Sequence, residues 1–255
     1  MRTLKKSSFA VLAVAGAVLM AVAPSALASS TWSLASGCSA NCLDTGSSAL
    51  KLTSMTAFST TGAGSAFAGA GLVSYGAGGF GVTAAGESTL TPQHSMDNSG
   101  FTDAVLLNFS SSVILRQLLV GWAAYDSDVS VLRYTGAGAP TLAGQTIAGA
   151  LANGWASVGN YDTVSGAVQA DGGGNNATVT NVNGSGLSSS WWLISAYNSG
   201  YGGSNFGTVG GQSDYVKLLQ LTGDKSVSVS VPEPGTLALA AAALFGGFLT
   251  RRRAA

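Results

Sequence analysis

One histidine and two cysteines in 255 residues are too few imidazole and thiolate groups for a zinc centre, because His94, Cys38 and Cys42 cannot complete four ligands. Charge is scarce as well, at 9% of the chain. Arg2, Lys5, Lys6, Arg251, Arg252 and Arg253 hold six of the eleven basic side chains and sit at the two ends, with Glu233 the one acid among them. Residues 29–231 keep five basic and ten acidic side chains, a balance of about −5. Nucleic-acid binding needs clustered Lys and Arg to displace counterions, so five scattered cations in an acidic body exclude it. No Gly-x-Ser-x-Gly elbow of a serine hydrolase is present. Neither is an EF-hand run of alternating Asp and Asn before a glycine. Long amphipathic helical patterns are missing too, which leaves strands as the main element.

What is abundant is Gly, Ser, Thr, Asn and Ala, poor helix material that suits a β-protein with many turns. About 200 residues between the ends are enough for one domain with a sizeable core. Runs rich in Val, Leu and Ile at 104–109, 113–123 and 128–134 read as strands, separated by Ser110-Ser111-Ser112 and by Tyr125-Asp126-Ser127. Residues 49–58, 155–161, 190–197 and 215–221 read as further strands, with Gly/Asn turns at 171–176, 181–186 and 198–205. The Gly-rich stretch 60–86 is either a linker or a set of glycine-rich strands, and its spaced aromatics favour strands. One short helix fits 142–151. This pattern predicts an all-β fold, a single β-sandwich or jelly-roll-like ectodomain.

The ends carry addresses. A basic start, an apolar run at 9–22 and the small-x-small signature of Ala26 and Ala28 make residues 1–28 a secretory signal peptide cleaved after Ala28. An uncleaved anchor is the alternative, weakened by the shortness of the run. Export makes a Cys38–Cys42 disulfide the simplest fate of the two thiols. It would close a very short loop, a local clip that contributes less than a long one. At the other end, residues 235–250 hold no charge and are followed by three arginines. Sixteen helical residues span roughly 24 Å, short of a hydrocarbon core of about 30 Å. Arginine stems can snorkel to make up part of the difference. A transmembrane helix with Arg251, Arg252 and Arg253 as a cytoplasmic stop follows from the positive-inside rule. A buried core helix is the alternative; three consecutive arginines at its end speak against it.

Before that segment, Pro232 and Pro234 hold Glu233 on an extended, accessible stretch, since proline fixes φ and biases its predecessor away from helix. Pro-Glu-Pro, an apolar segment and a basic end, in that order, resemble the PEP-CTERM sorting signal of Gram-negative bacteria. The resemblance implies recognition of Pro232, Glu233 and Pro234 by an integral-membrane exosortase, with the catalytic thiol on that enzyme. The implied partners are the exosortase, the secretion machinery and, transiently, the inner membrane. The implied destination is the cell surface or the exterior, beside extracellular polysaccharide in a matrix or biofilm. The motifs Gly79-Phe80-Gly81-Val82-Thr83, Gln93-His94-Ser95-Met96-Asp97-Asn98, Asp103-Ala104-Val105-Leu106-Leu107-Asn108-Phe109, Gly121-Trp122 and Asp126-Ser127-Asp128-Val129-Ser130-Val131-Leu132 resemble the ectodomain of an exosortase-dependent surface protein family. That likeness implies no activity. The domain plan is therefore signal peptide 1–28, β-rich domain 29–225, linker 226–231 and sorting signal 232–255.

Three chemical readings of the body remain. His94 near Asp97, Asp103 and Ser95 or Ser99 could serve as a base with its orienter and nucleophile, but an Asx turn explains Asp97-Asn98-Ser99-Gly100 as well. No enzyme activity and no obligatory cofactor are expected. The hard oxygens of Asp97, Asn98, Asp103, Asp126 and Asp128 suit calcium, provided their loops converge at one end of the sandwich. Strand-capping turns are the blander account. Trp32, Trp122, Trp155, Trp191, Trp192, Tyr197 and Tyr201 fill a β core or, in part, stack on sugar; alternation sends Trp191 and Trp192 to opposite faces.

Overall fold

The computed structural model describes residues 29–45, 50–62, 64–163 and 178–226. The signal peptide with Ala26 and Ala28, the turn at 171–176, and the sorting signal with Pro232, Glu233, Pro234 and the arginines lie outside the described residues. Among the described residues, no helix is long and apolar enough to cross a membrane.

Among the described residues, fourteen strands and one short α-helix make an all-β fold, and the strands form one connected sheet. The spine is β8 (Asp103–Tyr125). Its first part, through Phe109, lies between β3 (Lys51–Thr60) and β12 (Ser189–Ala196), both antiparallel to it. From β12 the layer continues to β9 (Val129–Tyr134), β10 (Trp155–Tyr161) and the two-residue β13 (Asn205–Phe206). Beyond β3 lie β2 (Ala40–Leu43) and β4 (Phe67–Gly69). From Val113 onward β8 pairs instead with β14 (Asp214–Lys225), and β11 (Thr178–Asn181) takes its other edge. β14 in turn receives β1 (Ser29–Ser33), β6 (Phe80–Thr83) and β7 (Met96–Asp97) along its far side, and β6 pairs with β5 (Gly71–Ser74).

The serine triplet at 110–112 does not end a strand, as its composition suggests, but lies inside β8. It sits where β12 pairing jumps from Asn108 to Val113, so β8 bends there from one group of partners to the other. Ser110 suits that bend because its Oγ accepts the Lys51 N–H; the backbone carbonyl of Ser112 accepts the Ser226 N–H.

Period-2 alternation sends Val105, Leu107 and Phe109 of β8, Trp192 and Ile194 of β12, and Val129 and Val131 of β9 into one core. Val113, Leu115, Leu118 and Val120 of β8 and Val216, Leu218 and Leu221 of β14 enter the same core from the other group. The opposite face of the first group is covered too. Leu106, Leu132, Leu193 and Trp155 pack there with Phe67, Leu142, Tyr201 and Ala150 of the helix α1 (Ile147–Ala152). Burial on both faces explains why Val105-Leu106-Leu107 is a continuous apolar run rather than an alternating one. Thr146 caps α1 by accepting the Gly149 N–H. The helix is shorter than 142–151 because Leu142 packs from a turn ahead of it. The stretch 60–86 contributes β4, β5 and β6 rather than a linker.

Cys38 and Cys42 are bonded to each other, with Asn41 between them at φ +53°. Asn tolerates that left-handed conformation better than most residues. Trp192 is fully buried and its indole N–H donates to the Ser189 carbonyl, whereas Trp191 lies partly buried against the second core. Trp192→Ala should therefore lower unfolding free energy by about 3–5 kcal/mol. Val179→Ala, at a side chain 54% exposed, should change it by less than about 0.5 kcal/mol. Denaturant midpoints on the two variants check both.

Candidate functional site

Buried acids gather where β7, β8 and β14 meet. Asp97 ends β7, Asp103 opens β8, Asp214 opens β14, and Asp126 and Asp128 lie between β8 and β9. Asp97 Oδ1 accepts the Ser99 N–H at 2.8 Å, closing the Asx turn that the sequence suggests. Asp103 Oδ2 accepts the Asp97 N–H at 3.3 Å. Asn98 reaches the other way: its Nδ2 donates to the Tyr197 carbonyl and to Asp214 Oδ2, and its Oδ1 accepts the Asp214 N–H. Asp214 Oδ1 accepts the Asp128 N–H at 2.6 Å, and Asp128 Oδ2 accepts the Gly210 N–H.

The five oxygen-bearing residues expected to converge do not form one site. Asp97 and Asp103 join Glu87, and Asp126 and Asp128 join Asp214; in each trio one carboxylate oxygen per residue lies within 4.8 Å of the others. Asn98 stands between the trios, tied to Asp214 rather than poised as a ligand. The reason is register. Asp97 faces Tyr215 across the β7–β14 pair, which places it beside Asp214 yet on the next position along. Sequence reasoning misses Glu87 and Asp214 because they are isolated acids, one beside a turn and one at the start of β14, with no local motif around them.

Burial dominates the electrostatics. It pushes Asp97 up to about 9, with Asp103 adding to the rise. It pushes Asp214 up to about 8 against the hydrogen bond from the Asp128 N–H. Asp103 rises to about 7 and Asp128 to about 6 for the same first reason.

His94 belongs elsewhere. Gly81 has no Cβ to overlap the His94 carbonyl, so the turn carrying His94 lies directly on β6. There His94 Nε2 is 2.9 Å from Lys217 Nζ, which sits 4.0 Å from the Tyr75 ring centre and 4.1 Å from that of Trp122. Desolvation lowers Lys217 to about 8, and desolvation first, then Lys217, lowers His94. Ser95 Oγ donates to the Pro92 carbonyl. Among the described residues, the His94–acid–serine grouping is thus not assembled.

A polar cleft of about 550 Å³ opens beside the second trio, lined by Asn98, Tyr197, Asn198, Gly210, Gln212 and Ser213 among others. Of the aromatics that could stack on sugar, Tyr197 reaches it. Trp32, Trp155, Trp192 and Tyr201 are core residues, and Trp122 is committed to Lys217.

The raised carboxylates make stability depend on pH. From the unfolded value of 3.8 up to folded values of about 6 to 9, the folded chain holds more protons than the unfolded chain. Their stabilising contribution is complete below 3.8 and is lost as pH rises through that window. Lys217, lowered from 10.5, acts with the opposite sign above about pH 8. Melting temperature in chelator-treated buffer should therefore fall from pH 5 to pH 8, and Asp103→Asn should flatten the fall. Thermal scans across pH check this.

Residues 230–253 match the PEP-CTERM protein-sorting motif. That stretch is the tail and leaves the β-rich body uncovered. No curated protein matches the chain, and no solved structure matches it. The chain thus bears the sorting motif of an exported protein whose membrane-held signal is handled by an exosortase on the way to the cell surface.

Proposed function

We propose that this is a non-enzymatic surface or matrix protein of a Gram-negative bacterium, with a two-layer ectodomain of the sandwich type. An N-terminal signal peptide starts its export, and a transmembrane tail with an arginine stop holds it until the exosortase cuts near Pro232, Glu233 and Pro234. After release it works beside extracellular polysaccharide in a matrix or biofilm. The observation that carries this reading is the motif at 230–253. The fold is compatible with it: Ser29 of β1 pairs with Asp224 of β14, so both ends of the body leave the sheet at one corner. A body built this way can be threaded out by one signal and held by the other without either end crossing the core.

A second reading, glycan binding, is favoured by the cleft at Asn98, Tyr197, Asn198 and Gln212. Amide groups and a tyrosine face are what sugar hydroxyls and rings engage, and its volume is of ligand size. Binding of the matured protein to the producer's own polysaccharide should fall at least tenfold in Tyr197→Ala, read by co-sedimentation.

The sorting reading is tested by expressing the chain with and without the exosortase and following intact mass and fractionation. With the enzyme, wild type should lose its apolar tail and leave the membrane fraction. Glu233→Gln should stay full length and membrane-bound, and R251A/R252A/R253A should release inefficiently. Equal mass and location in all of these would refute it.

A further inference from the structure

We propose that Glu87, Asp97 and Asp103 bind a hard divalent cation, calcium by the chemistry of the site. Three carboxylate oxygens, one from each residue, lie within 4.8 Å of one another. Two ligands on opposite sides of a calcium ion at about 2.4 Å are about 4.8 Å apart, so this is the span that one ion bridges.

A cluster of acids alone would not justify this, since turns also gather carboxylates. The decisive observation is what happens to the second oxygen of each buried member. One oxygen of each residue holds backbone in place. Asp97 Oδ1 accepts the Ser99 N–H, Asp103 Oδ2 the Asp97 N–H, and Glu87 Oε2 the Ala84 N–H. Asp97 Oδ2 and Asp103 Oδ1 are left buried with no hydrogen-bond partner, on side chains that are 0% exposed. A turn needs one carboxylate oxygen; it gives no reason to bury the other bare, which is costly. Nor is a cationic side chain among the groups that act on either carboxylate, which are other acids and hydrogen-bond donors. Lys217 is held by His94 and two aromatic rings.

The surroundings suit an ion. Ser59, the strand partner of Asp103, brings its hydroxyl beside that carboxylate. The hydroxyl lies 3.2 Å from the Thr60 carbonyl and hydrogen-bonds the Asp103 carboxylate, and its lone pairs are a further oxygen. A cavity of about 100 Å³ is lined by Ser59, Thr60, Ala84 and Phe101, among others, on the side where the Ala84 N–H holds Glu87. The three carboxylates do not line it; it borders the site through Ser59 and Ala84. Glu87 is half-buried and gives the ion a way in. An all-oxygen set excludes the soft metals, and magnesium prefers a smaller, more regular shell than three turn-borne carboxylates provide.

The rival occupant is a proton shared between Asp97 and Asp103. Protein recovered from an exporting host and stripped with chelator at pH 7.5 separates the two. Calcium should raise its melting temperature saturably, by roughly 5–10 °C at a hundredfold excess over Kd, with half-effect near 10⁻⁴–10⁻³ M. Glu87→Gln, at a half-buried position that keeps the fold, should move the half-effect at least tenfold upward. Asp97→Asn should abolish the response while leaving the calcium-free protein as stable as wild type or more so. Asp126→Asn should respond like wild type. Two results overturn the proposal: a wild-type melting temperature that ignores calcium, which assigns the site to a proton, or a response lost in Asp126→Asn but kept in Glu87→Gln, which assigns the ion to the other trio. Neither result bears on tail processing, which mass and fractionation read separately.

Discussion

A single strand of 23 residues, β8, hydrogen-bonds β3 and β12 with its first part and β14 and β11 with its second. Every large element of the body is reached through it, and the shared core lies between the strands it recruits. The constraint is strict because side-chain direction has period 2, so a one-residue slip at either end would turn Leu107 or Leu118 out of the core. The bend at the serines absorbs the mismatch between the two partner groups. Local irregularity at 110–112 is thus what lets the strand on either side remain regular.

That architecture also decides where charge collects. Strand ends cannot pack as tightly as strand middles, and five aspartates, with Glu87 in a nearby turn, lie where β7, β8 and β14 begin or end. Opposite charges do not meet there. Lys217 is buried on β14 three positions after Asp214 but is stabilised by ring faces and a histidine nitrogen, while the acids face each other. Alternation explains part of this, since residues 214 and 217 point to opposite faces of β14. The sheet separates one uncompensated cation from two uncompensated groups of carboxylates, and the separation is fixed by backbone register rather than by the strength of any pairing.

Much of this is legible in the sequence where a strand is buried and apolar. The runs near 104–109, 113–123, 128–134, 155–161, 190–197 and 215–221 all fall within observed strands or overrun them by a residue, because Val, Ile, Leu and Trp there satisfy both propensity and burial. Polar strands are not legible. Ser-Ser-Thr-Trp-Ser of β1 has one large apolar residue, and its strand character comes from β14, against which it pairs from Ser29 to Ser33. The serine bend of β8 misleads for the same reason: composition suggests a break, and tertiary pairing overrides it. The acidic side chains of the two trios are recognisable by type but not by grouping. Grouping depends on which strand ends coincide in space, and β7 has only two residues to announce itself.

The placement of the ends gives the molecule a direction. β1 and the last turns of β14 close one corner, while Asp214, at the other end of the twelve-residue β14, belongs to the acidic end with its cleft. Eleven steps at about 3.3 Å put these two ends roughly 35 Å apart. Ser29 and Ser226, the described residues nearest the N-terminal segment and the sorting motif, lie at the first end. A chain held at the bilayer by its tail would therefore present the carboxylate trios and the polar cleft away from the corner where it is tethered. Cleavage near Pro232 would remove the tether without disturbing β14, whose pairing with β8 and β1 ends at Lys225 and Asp224. Among the described residues no pairing of β14 extends past Lys225, so sorting and any binding at the far end can be altered independently.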